Sequence, residues 1–180
     1  MLTEILISGF GGQGVLFSGK LLAYAALSEG KELSWLPSYG PEMRGGTANC
    51  SVCLSDEPIG SPLVTQPDIL IAMNEPSVEK FESSVKPGGI MFLDSSLTER
   101  KPSRNDIVCF EVPASEIARN NSLTGMSNIV LLGKVLKECQ ERLTGIGMNA
   151  VEAALNKIIP PKRKAMAEKN LCALKLGYQL

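Results

Sequence analysis

The sequence predicts an α/β fold, in which an open and mostly parallel sheet carries helices on both faces. Short apolar runs bounded by glycine and proline recur along the chain, as the buried strands of a parallel sheet require. Stretches of helical periodicity separate these runs. With 180 residues, 44% of them hydrophobic, the chain can bury one core. We therefore expect a single Rossmann-like domain over residues 1–180.

The first half of the chain alternates between predicted strands and one long helix. The apolar run at 5–8 indicates a buried strand, and Gly30 is the expected stop signal of the helix that follows it. Segment 38–46 contains too much glycine and proline for a regular element, so it is predicted to be a shaped loop. The predicted strands are 5–8, 32–37 and 47–54, and the predicted helix is 15–28.

The second half supplies the remaining strands and a group of C-terminal helices. Pro76 stands in the first turn of a predicted helix, where a missing backbone N–H is tolerated. The predicted strands are 69–73, 90–93 and 107–112. The predicted helices are 76–85, 117–120, 128–142, 148–158 and 162–177.

Charge and cysteine content restrict the class of protein. The chain has 18 basic and 19 acidic residues, interspersed, so we expect neither a nucleic-acid surface nor a membrane anchor. We find no signal peptide, and no apolar run approaches the length of a membrane span. Five cysteines at irregular spacing fit free thiols in a reducing compartment. These features predict a cytoplasmic protein.

The turn between the first strand and the first helix is the most informative segment. It reads Gly9-Phe10-Gly11-Gly12-Gln13-Gly14 and fits the dinucleotide fingerprint at Gly9, Gly11 and Gly14. Glycines let the backbone approach a ligand closely, and the helix start offers unpaired N–H groups to an anion. The segment therefore predicts an anion-binding turn.

Two nucleotide-binding interpretations of this turn are incomplete. The dinucleotide fold needs an acidic residue at the carboxyl end of the second strand, but Glu32 lies at its beginning. Residues 14–20 also spell a phosphate-loop pattern. However, Leu21 stands where that motif needs a hydroxyl for the metal ion. We therefore disfavour both interpretations.

No catalytic or metal-binding group is predicted within the chain. Cys50 and Cys53 form a C-x-x-C pair, but on a strand residues three apart point to opposite faces, so their sulfurs cannot easily share one ion. The chain contains no histidine, which removes the commonest general base. No serine lies in a nucleophile-elbow pattern. We expect structural thiols, no catalytic residue and no metal site.

A second loop is predicted to share the edge of the sheet with the glycine-rich turn, because it follows the second strand. Tyr39 offers an aromatic face, and Arg44 offers a fork of donors to an anion. Asn74 closes a later strand at the same edge, where helix capping is the alternative role. Three glycines and a proline, Gly40, Pro41, Gly45 and Gly46, give this loop a fixed shape.

Taken together, these segments resemble the gamma subunit of 2-oxoacid:ferredoxin oxidoreductases. The resemblance rests on the two glycine-containing loops at 9–14 and 38–46, on Pro67-Asp68 and on Met73-Asn74-Glu75-Pro76. It spans nearly the whole chain. The 2-oxoglutarate branch, in which four separate chains make up the enzyme, is the most similar.

The resemblance implies a subunit of a complex that decarboxylates a 2-oxoacid oxidatively to its acyl-CoA and passes electrons to ferredoxin. It implies that thiamine diphosphate, Mg and iron–sulfur clusters belong to the partner chains, the alpha, beta and delta subunits. The gamma subunit is expected to cover the active-site region, to help accommodate coenzyme A and to be inactive alone. The residues carried over from the family are Gly9, Gly11, Gly12, Gln13 and Gly14 of the first loop, Ser38, Tyr39, Gly40, Pro41, Arg44, Gly45 and Gly46 of the second, and Asn74 and Asn128.

Two alternatives stay open at this point. One is a free-standing nucleotide-binding or dinucleotide-binding module, which the glycine pattern alone would fit. The other is the corresponding subunit of an indolepyruvate oxidoreductase, which shares the Gly9–Gly14 pattern. The sequence does not identify the 2-oxoacid, because the partner chains are expected to select it.

Overall fold

The computed structural model of the chain describes residues 1–38 and 47–180. The strands are β1 Leu2–Phe10, β2 Glu32–Ser38, β3 Thr47–Ser55, β4 Ile69–Ala72, β5 Ile90–Asp94 and β6 Val108–Val112. The helices are α1 Val15–Ser28, α2 Glu75–Phe81, α3 Ala114–Asn120, α4 Ser127–Glu138, α5 Met148–Ile158 and α6 Lys164–Gln179. Short 3₁₀ segments at Glu82–Ser84 and Pro161–Arg163 follow α2 and precede α6.

The described strands form one six-stranded sheet in the order β2-β3-β1-β4-β5-β6. Strands β1, β4, β5 and β6 are parallel, whereas β3 lies antiparallel between β1 and β2. The predicted mostly parallel α/β sheet is therefore confirmed. The antiparallel β2–β3 pair follows from chain length: the eight residues 39–46 are fewer than a crossover between parallel neighbours needs.

Helices cover the two faces of this sheet unequally. One face packs against α1, α3, α4, α5 and α6 and contains the larger buried cluster, which includes Ile5, Ile7 and Phe92. The other face packs mainly against α2 and contains a smaller cluster around Leu6 and Leu70. Helices α1 and α2 thus lie on opposite faces, so the β1–β4 boundary is the point where the crossover direction switches.

Most element boundaries agree with the sequence predictions. Helices α1 and α5 have the predicted bounds. Helix α3 begins at Ala114, three residues before the predicted start, because the buried carboxylate of Asp94 accepts hydrogen bonds from the N–H and hydroxyl groups of Ser115. Helix α4 ends at Glu138 and not at residue 142.

The cysteine pair lies on two different faces of β3, as predicted. Cys50 belongs to the larger cluster and Cys53 to the smaller one. Burial raises the pKa of Cys50 to about 12, although contacts with Trp35 and Gly19 act in the opposite direction. Burial likewise raises the pKa of Cys139 to about 12. These thiols are therefore protonated structural groups of the core at neutral pH.

Helices α4 and α6 cross in close contact at Gly177. A Cβ atom at this position would overlap the Val130 carbonyl group of α4, whose carbon would lie only 2.7 Å away. The backbone of α4 cannot yield as the tip of a side chain can. This contact fixes how closely the C-terminal helix lies against the core.

No helix among residues 1–38 and 47–180 is long and apolar enough to cross a membrane.

Replacing Gly177 with alanine tests the helix crossing. We expect Gly177→Ala to lower the free energy of unfolding by about 1–3 kcal/mol, because the added methyl group must push the two helices apart. Gly60→Ala is the control, since Gly60 is exposed and a methyl group added there would meet no atom within 4 Å. Its effect should stay within about 0.5 kcal/mol. Urea unfolding of both variants measures the difference, and equal stabilities would contradict the assignment.

The buried thiols predict a loss of stability in alkali. A cysteine ordinarily ionises near 9.0, whereas the pKa of Cys50 and of Cys139 in the folded chain is about 12. Above pH 9 only the unfolded chain releases these protons, so its formation is favoured as the pH rises. Urea unfolding between pH 7.5 and 10 should show this decline. Cys139→Ala should make the decline shallower and Cys172→Ala, at an exposed thiol, should not; identical slopes would refute the explanation.

Candidate functional site

The carboxyl edge of the sheet brings the predicted site segments together. The end of β1 and the start of β3 are paired there through Phe10 and Thr47. Ser38, the last residue of β2, is in register with Asn49, which is also the partner of Ser8 in β1. The described residues that flank 39–46 therefore lie at the same edge as the glycine-rich turn.

The second predicted loop itself lies outside the described residues. Of its predicted binding residues, Ser38 is described and exposed. Tyr39, Gly40, Pro41, Arg44, Gly45 and Gly46 are not described, so their roles stay predictions.

The glycine-rich turn has the predicted strand–turn–helix context. Strand β1 continues through Gly9 to Phe10, and α1 begins five residues later at Val15. The N–H of Gln13 donates to the Phe10 carbonyl over 3.1 Å and closes the turn. Gly14 precedes the helix with a φ of 78°, a left-handed conformation that other residues rarely adopt. The unpaired N–H groups and positive dipole of the helix start therefore face the carboxyl edge, where they suit an anion.

Asn128 of α4 stabilises the end of the glycine-rich turn through hydrogen bonds. It lies in the first turn of α4 with 3% exposure, and its Nδ2 donates to the Gly14 carbonyl over 3.1 Å and to Ser18 Oγ over 3.0 Å. A methyl group on Gly14 would come within 2.8 Å of Asn128 Cγ. Its Oδ1 atom is buried without a partner among the described residues. The amide thus joins α4 to the start of α1.

Gln13 and Asn74 contact each other at the β1–β4 boundary. Asn74 Nδ2 donates to Gln13 Oε1 over 3.0 Å. Asn74 also caps α2, since its Oδ1 accepts from the N–H of Ser77 over 2.9 Å, with Pro76 in the first turn as predicted. The sequence offered two roles for Asn74, a binding residue at the edge of the sheet or a helix cap. The structure shows the buried Asn74 as the cap of α2.

Two cavities flank the glycine-rich turn. One, of about 280 Å³, lies between the turn, the start of α1 and Ala48. The other, of about 350 Å³, lies between the turn, α3 and the start of α4. Gly12 lines both cavities. The turn is thus accessible from two sides.

The second cavity contains residues that the sequence analysis did not single out. Its polar lining consists of Gln13 from the turn itself and of Ser115, Arg119, Thr124 and Ser127, which the sequence did not indicate. Arg119 is exposed and forms no salt bridge within the described part of the chain. A cation beside an anion-suited turn adds to its attraction for phosphate or carboxylate. The sequence signal that could have indicated this cavity is the stretch 122–127, which contains a glycine and three hydroxyl residues and leads from α3 into α4.

The structure agrees with the exclusion of the two nucleotide motifs. Glu32 pairs with Ser55, which is also the partner of Leu2, so this acidic residue lies at the opposite edge of the sheet. Lys20 extends over the ring of Tyr24, with its Nζ 5.6 Å from the ring centroid. Leu21, which replaces the metal-binding hydroxyl of a phosphate loop, is fully buried. Neither motif has its required partner residue.

The described residues contain no cluster of side chains of the kind that holds a structural metal ion or an iron–sulfur cluster. Within 1–38 and 47–180, no three His, Cys, Asp or Glu side chains come together in a metal-binding group. Cys50 and Cys53 face different clusters, as described above.

Comparison with known proteins gives a consistent result along the whole chain. The family model described as pyruvate ferredoxin/flavodoxin oxidoreductase matches residues 4–180. Ketoisovalerate oxidoreductase subunit VorA of Methanothermobacter thermautotrophicus is 42% identical over 176 residues, covering 98% of this chain and 36% of that protein. 2-Oxoglutarate synthase subunit KorC of Methanocaldococcus jannaschii is 38% identical over 185 residues, covering 100% of this chain and 94% of that protein.

The fold comparison agrees with the sequence comparison. The crystal structure of the gamma subunit of a keto/oxoacid ferredoxin oxidoreductase from Geobacter sulfurreducens matches with a TM-score of 0.82 and 30% identity, covering 98% of this chain and 96% of that one. The chain thus spans about a third of the length of VorA but nearly all of KorC and of the Geobacter subunit.

Proposed function

Because the chain belongs to the pyruvate ferredoxin/flavodoxin oxidoreductase family, we propose that it is the gamma subunit of a 2-oxoacid:ferredoxin oxidoreductase complex. Within that complex it covers the active-site region and helps bind coenzyme A. The observation that carries the coenzyme A role is the glycine-rich turn at the start of α1, flanked by two cavities and by the exposed cation of Arg119.

The chemistry of the reaction requires partner chains. Oxidative decarboxylation of a 2-oxoacid needs thiamine diphosphate, and delivery of electrons to ferredoxin needs iron–sulfur clusters. The described residues offer no ligand set for a cluster or an ion. We assign these groups and Mg to alpha, beta and delta subunits, and to this chain the binding and orientation of the anionic end of coenzyme A.

We propose 2-oxoglutarate as the 2-oxoacid, with succinyl-CoA as the product. The support is that KorC, named as a 2-oxoglutarate synthase subunit, matches this chain over nearly the full length of both proteins. VorA, named for ketoisovalerate, has the higher identity but is about three times as long. A ketoisovalerate, pyruvate or indolepyruvate enzyme is therefore the alternative outcome of a substrate test.

The first experiment measures activity with and without the partner chains. The isolated chain should give no reduction of ferredoxin or of a dye with any 2-oxoacid, because its described residues include no redox centre. The complex, co-purified from the native source, should contain iron and thiamine and should reduce ferredoxin when 2-oxoglutarate and coenzyme A are both present. Activity of the isolated chain, or micromolar binding of NAD or ATP in calorimetry, would instead favour a free-standing nucleotide-binding module. A preference for another 2-oxoacid would correct the substrate alone.

The second experiment tests the cations assigned to coenzyme A. In the assembled enzyme, Arg44→Ala and Arg119→Ala should each raise the KM for coenzyme A roughly tenfold, the loss expected for one charge-assisted hydrogen bond. Arg142→Ala is the matched control, since Arg142 donates to the carbonyl of Gly88 before β5, at the opposite edge of the sheet. Its KM for coenzyme A should not change. An unchanged KM in all three variants, with normal assembly, would remove the proposed role.

A further inference from the structure

A side chain bridges the two strand ends that meet at the switch point of this sheet. In open α/β folds a ligand enters the crevice where the crossover direction changes, at the carboxyl ends of two neighbouring parallel strands. Here those strands are β1 and β4, which carry α1 and α2 on opposite faces. The side-chain amide of Gln13 reaches from the turn after β1 to Met73, the residue that follows β4.

The hydrogen bonds of Gln13 occupy both atoms of its amide. Its Oε1 accepts from the Phe10 N–H over 2.6 Å and from Asn74 Nδ2 over 3.0 Å. Its Nε2 donates to the Met73 carbonyl over 3.1 Å. A methyl group at Gly9 would lie 2.8 Å from Gln13 Oε1, so a glycine in this last part of β1 leaves the space that the amide needs. The side-chain amide is therefore engaged by the protein itself, while Gln13 as a whole is partly exposed and borders the cavity beside α3.

These bonds continue into a buried chain of polar groups. Asn74 Oδ1 accepts from the N–H of Ser77 over 2.9 Å and from its hydroxyl over 2.6 Å. The hydroxyl of Ser8 donates to Ser77 Oγ over 2.9 Å. Asn74 is 2% exposed, and both serines are fully buried. These hydrogen bonds thus connect the glycine-rich turn to the N-terminal cap of α2, which lies on the opposite face of the sheet from α1.

We propose that Gln13 is a positioning residue, which does not contact the ligand but holds the glycine-rich turn in its binding conformation through Asn74. Its amide bridges the two strand ends at the switch point, so an anionic ligand is received at the flanks of the turn. The part of this proposal that concerns ligand binding rests on the proposed coenzyme A role. The clamp itself rests on the contacts between Gln13, Asn74 and Met73.

Two variants break the clamp from its two ends. Asn74→Asp keeps an oxygen that caps α2 but places a second acceptor against Gln13 Oε1. Gln13→Met has a similar length, lacks the amide and leaves the cap of α2 untouched. The matched control is Asn170→Asp, which removes a buried amide that donates to the Met166 carbonyl within α6. Helix α6 lies on the same face of the sheet as α1, whereas α2 and its cap lie on the other face.

The first measurement is hydrogen exchange of the backbone amides of residues 10–16 in the isolated chain. Both clamp variants should exchange roughly three- to tenfold faster there than the wild type, the factor expected for one lost hydrogen bond. Asn170→Asp should leave these amides unchanged. Unchanged exchange in both clamp variants would overturn the proposal, whatever the function of the chain.

The second measurement uses the assembled enzyme. Gln13→Met and Asn74→Asp should raise the KM for coenzyme A by a similar factor, with kcat retained, and the double variant should be no worse than either. If only Gln13→Met changes the KM, Gln13 contacts the ligand directly and the proposal is wrong. If exchange accelerates and neither KM changes, the positioning role is also wrong. If the wild-type complex does not use coenzyme A, the proposed function fails while the exchange measurement still tests the clamp.

Discussion

The tight passage from β1 into α1 is the constraint on which the rest of the site depends. The chain must leave the centre of the sheet and begin a helix within the four residues between Phe10 and Val15. That path needs a left-handed residue at position 14, which glycine provides. It also needs a residue without a Cβ atom at position 9, because the side-chain amide of Gln13 occupies the adjacent space. Because these requirements leave the backbone of the turn exposed, its N–H groups become available to a ligand.

The same passage explains why a familiar motif has a different use here. The fingerprint glycines produce the strand–turn–helix geometry of a dinucleotide site, as their spacing predicts. However, the acidic residue for a ribose lies at the wrong edge, and the Gln13 amide bridges the two strand ends between which a dinucleotide would enter. Backbone geometry is therefore shared with nucleotide-binding folds, whereas the side chains around it decide which ligand can be received.

The elements with strong local signals could be predicted from the sequence. The buried strands β4 and β5 are short apolar runs between breakers, and α1 has both its glycine start and its glycine stop. The opposite orientation of Cys50 and Cys53 followed from strand periodicity alone. These features depend on neighbours in sequence, so local reasoning was sufficient.

The features that depend on distant residues were not predictable in the same way. Asp94 fixes the start of α3 through Ser115, twenty-one residues away, and nothing local indicates this bond. The contact between Gln13 and Asn74 spans sixty-one residues. Arg119 lines a cavity only because α3 and α4 bring their connecting segment to the glycine-rich turn. Sequence reasoning found the turn but could not identify what surrounds it.

The central position of β1 has a consequence for how the chain is made. This strand is synthesised before both of its neighbours in the sheet, Thr47–Ser55 and Ile69–Ala72. At about 5–20 residues per second, its apolar residues wait for several seconds before both edges can pair. Throughout that interval a nascent strand rich in isoleucine and leucine is open to chaperones and to self-association. Ample chaperone capacity during expression should therefore raise the yield of folded chain.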